Sequence, residues 1–529
     1  MSHTTTQPRA EYLRYSPNQR IAVLLGVMLG LILVAVDATI INVAIPAMRG
    51  NLGVTMDQIT WVSVGYMLAN VVFLPLTGWL EARLGRRLLL VYSVITFTAA
   101  SFLCGTASSL ELLVLYRVLQ GMGGAIIMSS GMAAMLEVFP PKKAGVVSAI
   151  AGIGVMVGPA VGPILGGWLV DSYSWPWIFY INVVPGVLSA LVLCFKMKNP
   201  QASTGVDRTA DLLGILWLVM GVGCFQILLG KGERLGWLDS TFIRWLAVLS
   251  IFGVALLIHR SLTTRHPAIN LRLLKNRVLA AGCACSFMAG VGIFSMLFVL
   301  PVFLQNLRQY SAQQSGTIML TFAICSAAAM VVSGGLVNRV PARLLVALGA
   351  VSCALALYAM SNVTYLSGPE HLFWPQVLLG AGIGLLFVPL MTASLAGLTG
   401  TDLGEGSGLW NMARQLGGTI GIALISTVLT KRMVFHHTML AESVNVYSPE
   451  TVSRFTMLQQ FFASKGSALA VARERALAAL DQTIVGQAAI MSYNDLFLLV
   501  ALAFALILPL VFLLRDPKPG EERAAVHFE

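Results

Sequence analysis

Fourteen apolar segments run through this chain, at about 21–46, 57–80, 88–107, 112–138, 144–170, 177–195, 210–230, 241–259, 278–304, 313–337, 344–362, 372–397, 405–430 and 491–514. A helix needs about 20 apolar residues to cross a bilayer, so the pattern predicts an all-α integral membrane protein with fourteen transmembrane helices. Composition agrees. The chain is 57% hydrophobic and 11% charged, whereas soluble domains are about 25% charged. The first apolar run follows 20 polar residues and is too long for a signal-peptide core. It is therefore expected to stay as a membrane helix.

The net charge of +11 would suit a nucleic-acid partner, but its placement points elsewhere. With the N-terminus inside, 21 Lys and Arg fall on the cytoplasmic side, whereas the short outer loops hold only Arg49, Lys231, Arg234 and Arg308. That bias sets membrane orientation and favours contact with anionic lipid headgroups, with no nucleic acid required. Both ends, 1–20 and 515–529, are expected as cytoplasmic tails. One outer stretch, 431–490, is long and rich in helix formers, with Ser448-Pro449 as a helix start; helices are expected there. The seven cysteines lie mostly inside apolar segments and read as small core residues. No metal-ligand spacing, P-loop or nucleophile elbow occurs. The adjacent His436 and His437 do not make a metal site, and a membrane-embedded enzyme or sensor lacks the residue cluster it would need.

Charges within the spans are few. Asp37 is the one charge of the first segment, in "LVAVDATIINVAIP", and Arg117 and Arg414 lie inside the fourth and thirteenth. Ionisable groups at membrane depth insert at a cost of about 2.5–3.5 kcal/mol and mark functional sites by default. A carboxylate there can have its pKa raised by desolvation and lowered by a nearby cation, so ligand binding can alter its protonation. Arg117 shares a helix face with Gly121, Gly124 and Met128.

The two parts of the chain echo each other. "GWLEARLGRR" (78–87) aligns on "GGLVNRVPAR" (334–343), "RVLQGMG" (117–123) on "QVLLGAG" (376–382), and Gly158 and Gly162 on Gly417 and Gly421, with offsets of 256, 259 and 259 residues. Near-constant offsets imply duplicated halves with a substrate site between them. The expected organisation is a six-helix bundle over 21–196, a linker over 197–277 carrying two inserted helices at about 210–230 and 241–259, and a second six-helix bundle over 278–514 that includes the outer stretch 431–490.

These motifs resemble the major facilitator superfamily, and more narrowly its fourteen-helix drug:proton antiporter branch, over the whole chain. The resemblance implies the major facilitator fold, two six-helix bundles related by a pseudo-two-fold axis. "LVAVDATIINVAIP" resembles the branch's first-helix signature, which implies a proton-coupling role for Asp37. "YRVLQGMGGA" resembles the fourth-helix motif and implies that Arg117 communicates with Asp37, directly or through water. "GWLEARLGRR" resembles the cytoplasmic loop motif that latches one conformation. Its residues here are Gly78, Glu81, Arg83, Gly85, Arg86 and Arg87, with Ala82 at the usual acidic position and Glu81 beside it. "GIGVMVGPAVGPILGGWL" resembles the antiporter motif of the fifth helix. Gly154, Gly158, Gly162 and Gly166 recur every four residues, with Pro159, Pro163 and Gly167, and the stripe is expected to be the interface on which the halves rock. "GLWNMARQLGGTIG" resembles the matching signature of the thirteenth helix. Asn411 and Gln415 share a face there, and Arg414 has Glu405, Asp402 or an anionic substrate as candidate partners.

Cavity candidates are Asn42, Trp61, Tyr66, Asn70, Gln120, Met156, Phe294, Phe298, Gln305, Asn411, Arg414 and Gln415. "HHTMLAESVNVYSPE" and "LDQTIVGQAAIMSYNDLF" narrow the resemblance to EmrB-type inner-membrane pumps, which implies a periplasmic adaptor and an outer-membrane channel as partners. The expected function is proton-driven export of lipophilic small molecules across a bacterial inner membrane, with protons as the energy source and no cofactor or metal. The competing expectation is a dedicated exporter of one metabolite, such as a fatty acid or siderophore.

Overall fold

The computed structural model describes residues 15–513, apart from 141–142, 199–210, 265–266, 338, 365–366, 399 and 446. The tails 1–14 and 514–529 lie outside the described residues.

Helices account for nearly all of the described chain. In order they are α1 (Pro17–Leu52), α2 (Trp61–Leu84), α3 (Arg86–Thr106), α4 (Leu110–Val138), α5 (Ala144–Ser172), α6 (Val183–Lys196, entered through the turn Trp177–Tyr180), α7 (Leu212–Lys231), α8 (Thr241–Thr263), α9 (Arg277–Val302), α10 (Ala312–Leu336), α11 (Ala342–Met360), α12 (Pro369–Ser394), α13 (Gly400–Ser443), α14 (Pro449–Ser464) and α15 (Leu469–Ala505). Among the described residues 13 helices are long and apolar enough to cross a membrane. The 29-residue α5, whose one acidic residue is Asp171 near its end, supplies a fourteenth. We call the face where α1 begins the near side and the opposite face the far side.

Local chemistry sets the ends. Ser16 caps α1 by accepting from the Gln19 backbone N–H, Gln19 returns the bond, and Pro17 occupies the first turn. Helix α1 therefore starts ahead of the apolar run. Gly85, at φ 77°, forms the turn between α2 and α3, a left-handed backbone that favours glycine.

Close helix approaches repeat between the halves. Gly121 of α4 lies on the Tyr66 backbone of α2, as Gly380 of α12 lies on Phe322 of α10. Gly123 sits against Ser93 and Phe97 of α3, and Gly382 against Gly349 and Cys353 of α11. Gly158 meets the Ala35 carbonyl of α1, and Gly417 the Phe287 carbonyl of α9. Without a side chain each glycine lets a neighbouring backbone come near.

The halves meet along two seams, α2 with α13 and α5 with α10. At the near side Gly78 packs against Glu405, and Gly145 against Gly334. Further in, the hydroxyls of Ser129 and Ser407 are 3.2 Å apart and Gly152 lies on Met330. Toward the far side Gly316 meets Ile164. Helices α7 and α8 cross through Gly221 and Gly253, and α7 touches α2 at Leu68 and α13 at Thr419.

The stretch expected as a separate outer loop, 431–490, is largely a continuation of two spanning helices. Helix α13 runs 44 residues, about 66 Å at 1.5 Å per residue, and α15 runs 37, about 55 Å on the same basis. A hydrocarbon core is about 30 Å thick, so both project well beyond it on the far side, with α14 packed against α15. Helix propensity continues past the apolar residues, so the sequence carries no stop at 431 or 490. His436 Nε2 lies 2.8 Å from Asp495 and His437 Nε2 3.2 Å from Asp481, tying α13 to α15.

Candidate functional site: a buried ion pair and its surroundings

Asp37 sits in α1 with 0% of its surface exposed, and Arg117 in α4 with 1%. Arg117 Nη1 donates to Asp37 Oδ2 at 2.6 Å and to Gln120 Oε1 at 2.8 Å. Gln120 Nε2 in turn donates to Asp37 Oδ1 at 2.8 Å, closing a three-residue ring. Asn182, at the start of α6, donates to Asp37 Oδ1 at 3.2 Å and to Ser101 Oγ at 3.0 Å. Arg117 Nε reaches the Val62 carbonyl at 3.4 Å, and its guanidinium lies 4.3 Å from the Tyr66 ring centre. A buried charge is tolerable when it is paired and its remaining hydrogen-bonding positions are filled. Both conditions hold here. Asp37 is the counter-charge of Arg117 in this arrangement.

Asn182 and Ser101 complete this network and were not singled out from the sequence. Asn182 lies in "WPWIFYINVVPG", where a polar residue at the break between two short helices was the available signal. Gln120, expected in the substrate cavity, belongs to the ion-pair ring, because three residues along α4 place it beside Arg117.

The period-four stripe on α5 does not face the other half. Gly154 packs on Met28 and Leu31, Gly158 on Ala35, Gly162 on Thr39 and Gly166 on Ile40, all in α1 of the same half. Thr39 fastens the contact by donating to the Gly158 carbonyl at 2.8 Å. The seam to α10 uses Gly145 and Gly152 instead. Gly152 is two residues from Gly154, about 200° around the helix, so α5 carries two glycine faces. A β-carbon on Gly167 would meet nothing within 4 Å, so it takes no part in either. Pro163 is half-buried within a continuous helix. The side chains of Met156 and Pro159 lie outside the described residues.

At the near side, Glu81 is buried. It accepts from Arg86 Nε at 3.2 Å and Nη2 at 2.9 Å, and from the Ser130 hydroxyl. Arg86 also pairs with Glu137. Glu81 therefore holds the charge that Ala82 lacks. It also touches the other half, because a β-carbon on Gly404 of α13 would run into its carboxylate. Arg83 is exposed over Trp79, and Arg87 donates to the Cys194 carbonyl.

The cavity candidates separate into groups. Tyr66 and Asn70 line α2 beside Arg117 and Gly124. Phe294 stands 5.7 Å from the Arg414 guanidinium, and Asn411 accepts from Arg414 Nη2 at 3.2 Å. Trp61 lies under Lys231. Phe298 and Gln415 are half-buried, and Asn42 and Gln305 are exposed. Neither Glu405 nor Asp402 pairs with Arg414 among the described residues. No group of three His, Cys, Asp or Glu side chains there could hold a metal ion.

A multi-pass helical membrane protein with two repeated halves and a charge network inside one of them has the architecture of a secondary transporter. Residues 27–422 match the Major Facilitator Superfamily, and the chain belongs to that family; it is a transporter and not an enzyme. It is 33% identical over 501 residues to the Multidrug export protein EmrB of Escherichia coli (strain K12), covering 94% of this chain and 96% of that one. The Fatty acid resistance protein FarB of Neisseria gonorrhoeae is 30% identical over 495 residues, covering 94% and 96%. Among solved structures, the proton:xylose symporter XylE superposes with a TM-score of 0.59 at 14% identity, covering 94% of this chain and 97% of that one. The human organic anion transporter MFSD10 gives 0.60 at 13%, covering 92% and 100%. These last two share the fold.

Proposed function

We propose that this chain is a proton-coupled antiporter exporting lipophilic compounds across a bacterial inner membrane, its near side cytoplasmic. The observation that carries the reading is a wholly buried carboxylate, Asp37, balanced by one buried cation, Arg117. Protonation of Asp37 from the far side removes that balance. Helix α1 carries Asp37 on one face and is locked to α5 on another by the glycine stripe, so a shift of α1 carries α5 with it. The second glycine face of α5 is a seam between the halves, where rocking exchanges access. The near side is closed by Gly78–Glu405, Gly145–Gly334 and the Glu81–Arg86–Glu137 cluster. In proteoliposomes, an imposed proton gradient should drive counterflow of a lipophilic dye, and a protonophore should stop it. Dye movement indifferent to the gradient contradicts proton coupling.

The reading extends to a tripartite assembly with a periplasmic adaptor and an outer-membrane channel. Its support is the far-side projection of α13–α15, which leaves Val452, Met457, Phe461 and Leu469 exposed; exposed apolar patches mark interaction sites. Deleting 449–464 should abolish resistance in cells and spare drug binding to purified protein. Retained resistance contradicts the docking role. Similarity to FarB favours a second reading, export of one metabolite class. Transport of many unrelated compounds decides against it.

A further inference from the structure

Arg414 is 4% exposed, and no carboxylate among the described residues pairs with it. Its Nη2 is held by Asn411 at 3.2 Å, and its Nε has no partner. Asp402 and Glu405 lie 12 and 9 residues back along α13, at least about 13 Å of helix away. Ser407, Asn411, Arg414 and Gly418 fall on one face of α13 by their spacing. That face looks across to the other half, since Ser407 meets Ser129 and Asn411 lies 3.8 Å from the Met132 sulfur. The cation lies about a turn beyond Asn411, about 21 Å along α13 from its near end, with Phe294 of α9 beside it. An unpaired buried cation is strongly unfavourable, and an anion brought to it relieves the penalty. The planar guanidinium suits a two-oxygen acceptor, and the apolar neighbours suit a hydrocarbon tail.

We propose that Arg414 is the counter-charge for the anionic headgroup, a carboxylate, of an amphiphile that this protein exports. Asn411 orients the guanidinium and leaves Nε for the ligand. The proposal rests on the export reading and adds the substrate class and the residue that selects it.

The full-length protein in a neutral detergent is titrated with decanoate, decanol and decyltrimethylammonium, for the wild type, Arg414→Gln and Arg414→Lys. Removing one partner of a buried charge pair should weaken decanoate binding of Arg414→Gln about thirtyfold or more. Decanol should bind wild type and Arg414→Gln alike, decyltrimethylammonium should bind Arg414→Gln as well as or better than wild type because a like charge is removed, and Arg414→Lys should keep part of the decanoate affinity. Equal loss for all three probes gives Arg414 a purely structural role and overturns the proposal. So does unchanged decanoate binding, or a wild type that does not prefer decanoate. Phosphatidylglycerol displacing decanoate at equal concentration assigns the cation to a lipid headgroup and overturns it too. Binding is read without a proton gradient. Decanoate binding indifferent to Arg414 in a protein that does export thus sinks this proposal alone. Arg414-dependent binding without gradient-driven export sinks the export reading and keeps Arg414 as a carboxylate site.

Discussion

The two halves share a framework of close-packed glycines and differ in the charges set into it. Gly121 and Gly380 occupy equivalent places, so the position of Arg117 is taken in the C-terminal half by Gln376. Ala35 and Phe287 meet equivalent glycines, so the position of Asp37 is taken by Ala289. Arg414 stands where the N-terminal half has Val155. One half holds a buried, charge-balanced pair. The other holds a lone cation whose balance must come from elsewhere. The packing can be shared because it needs only small residues at fixed spacing. The chemistry is not shared: a paired carboxylate lies in one half and an unpaired guanidinium in the other.

Stability gives the widest contrast. Arg117→Ala leaves Asp37 buried without a counter-charge and should destabilise the protein by about 3–5 kcal/mol. Arg414→Met removes an unpaired charge and should be neutral or stabilising. Denaturation midpoints in detergent read both, and equal losses would erase the distinction between the halves. Next in size, Gly158→Val and Gly417→Val each push a side chain into a helix carbonyl, at about 1–3 kcal/mol by the usual range for overpacking. The two should match, because their surroundings match; a large difference would break the shared framework. Smallest, Asn182→Ala removes one donor to Asp37 and should lower stability by about 1 kcal/mol.

The fold was legible because each membrane span announces itself by length and apolarity, and because the glycines that mark the repeat are those that pack. The ion pair was half legible. A carboxylate and a guanidinium in one half each need a partner, but only the resemblance placed their helices together. Two features were hidden. A period of four identifies the stripe Gly154–Gly166 as a helix-packing face, yet spacing along one helix says nothing of which neighbour fills it, and α1 does. Asn182 and Ser101 are ordinary polar residues whose importance comes only from lying beside Asp37. The extension of α13 and α15 was masked because apolarity ends at the membrane boundary while helix formation does not.

The central claim is that Asp37 carries the proton. Its most direct test is gradient-driven transport in proteoliposomes, wild type against Asp37→Asn. Asparagine keeps the shape but has no carboxylate to exchange a proton, and its amide nitrogen replaces one of the two oxygens that accept from Arg117, Gln120 and Asn182. The account predicts that transport coupled to the proton gradient is lost, while the protein remains folded in the membrane and still binds substrate. Full gradient-driven transport by Asp37→Asn would contradict it.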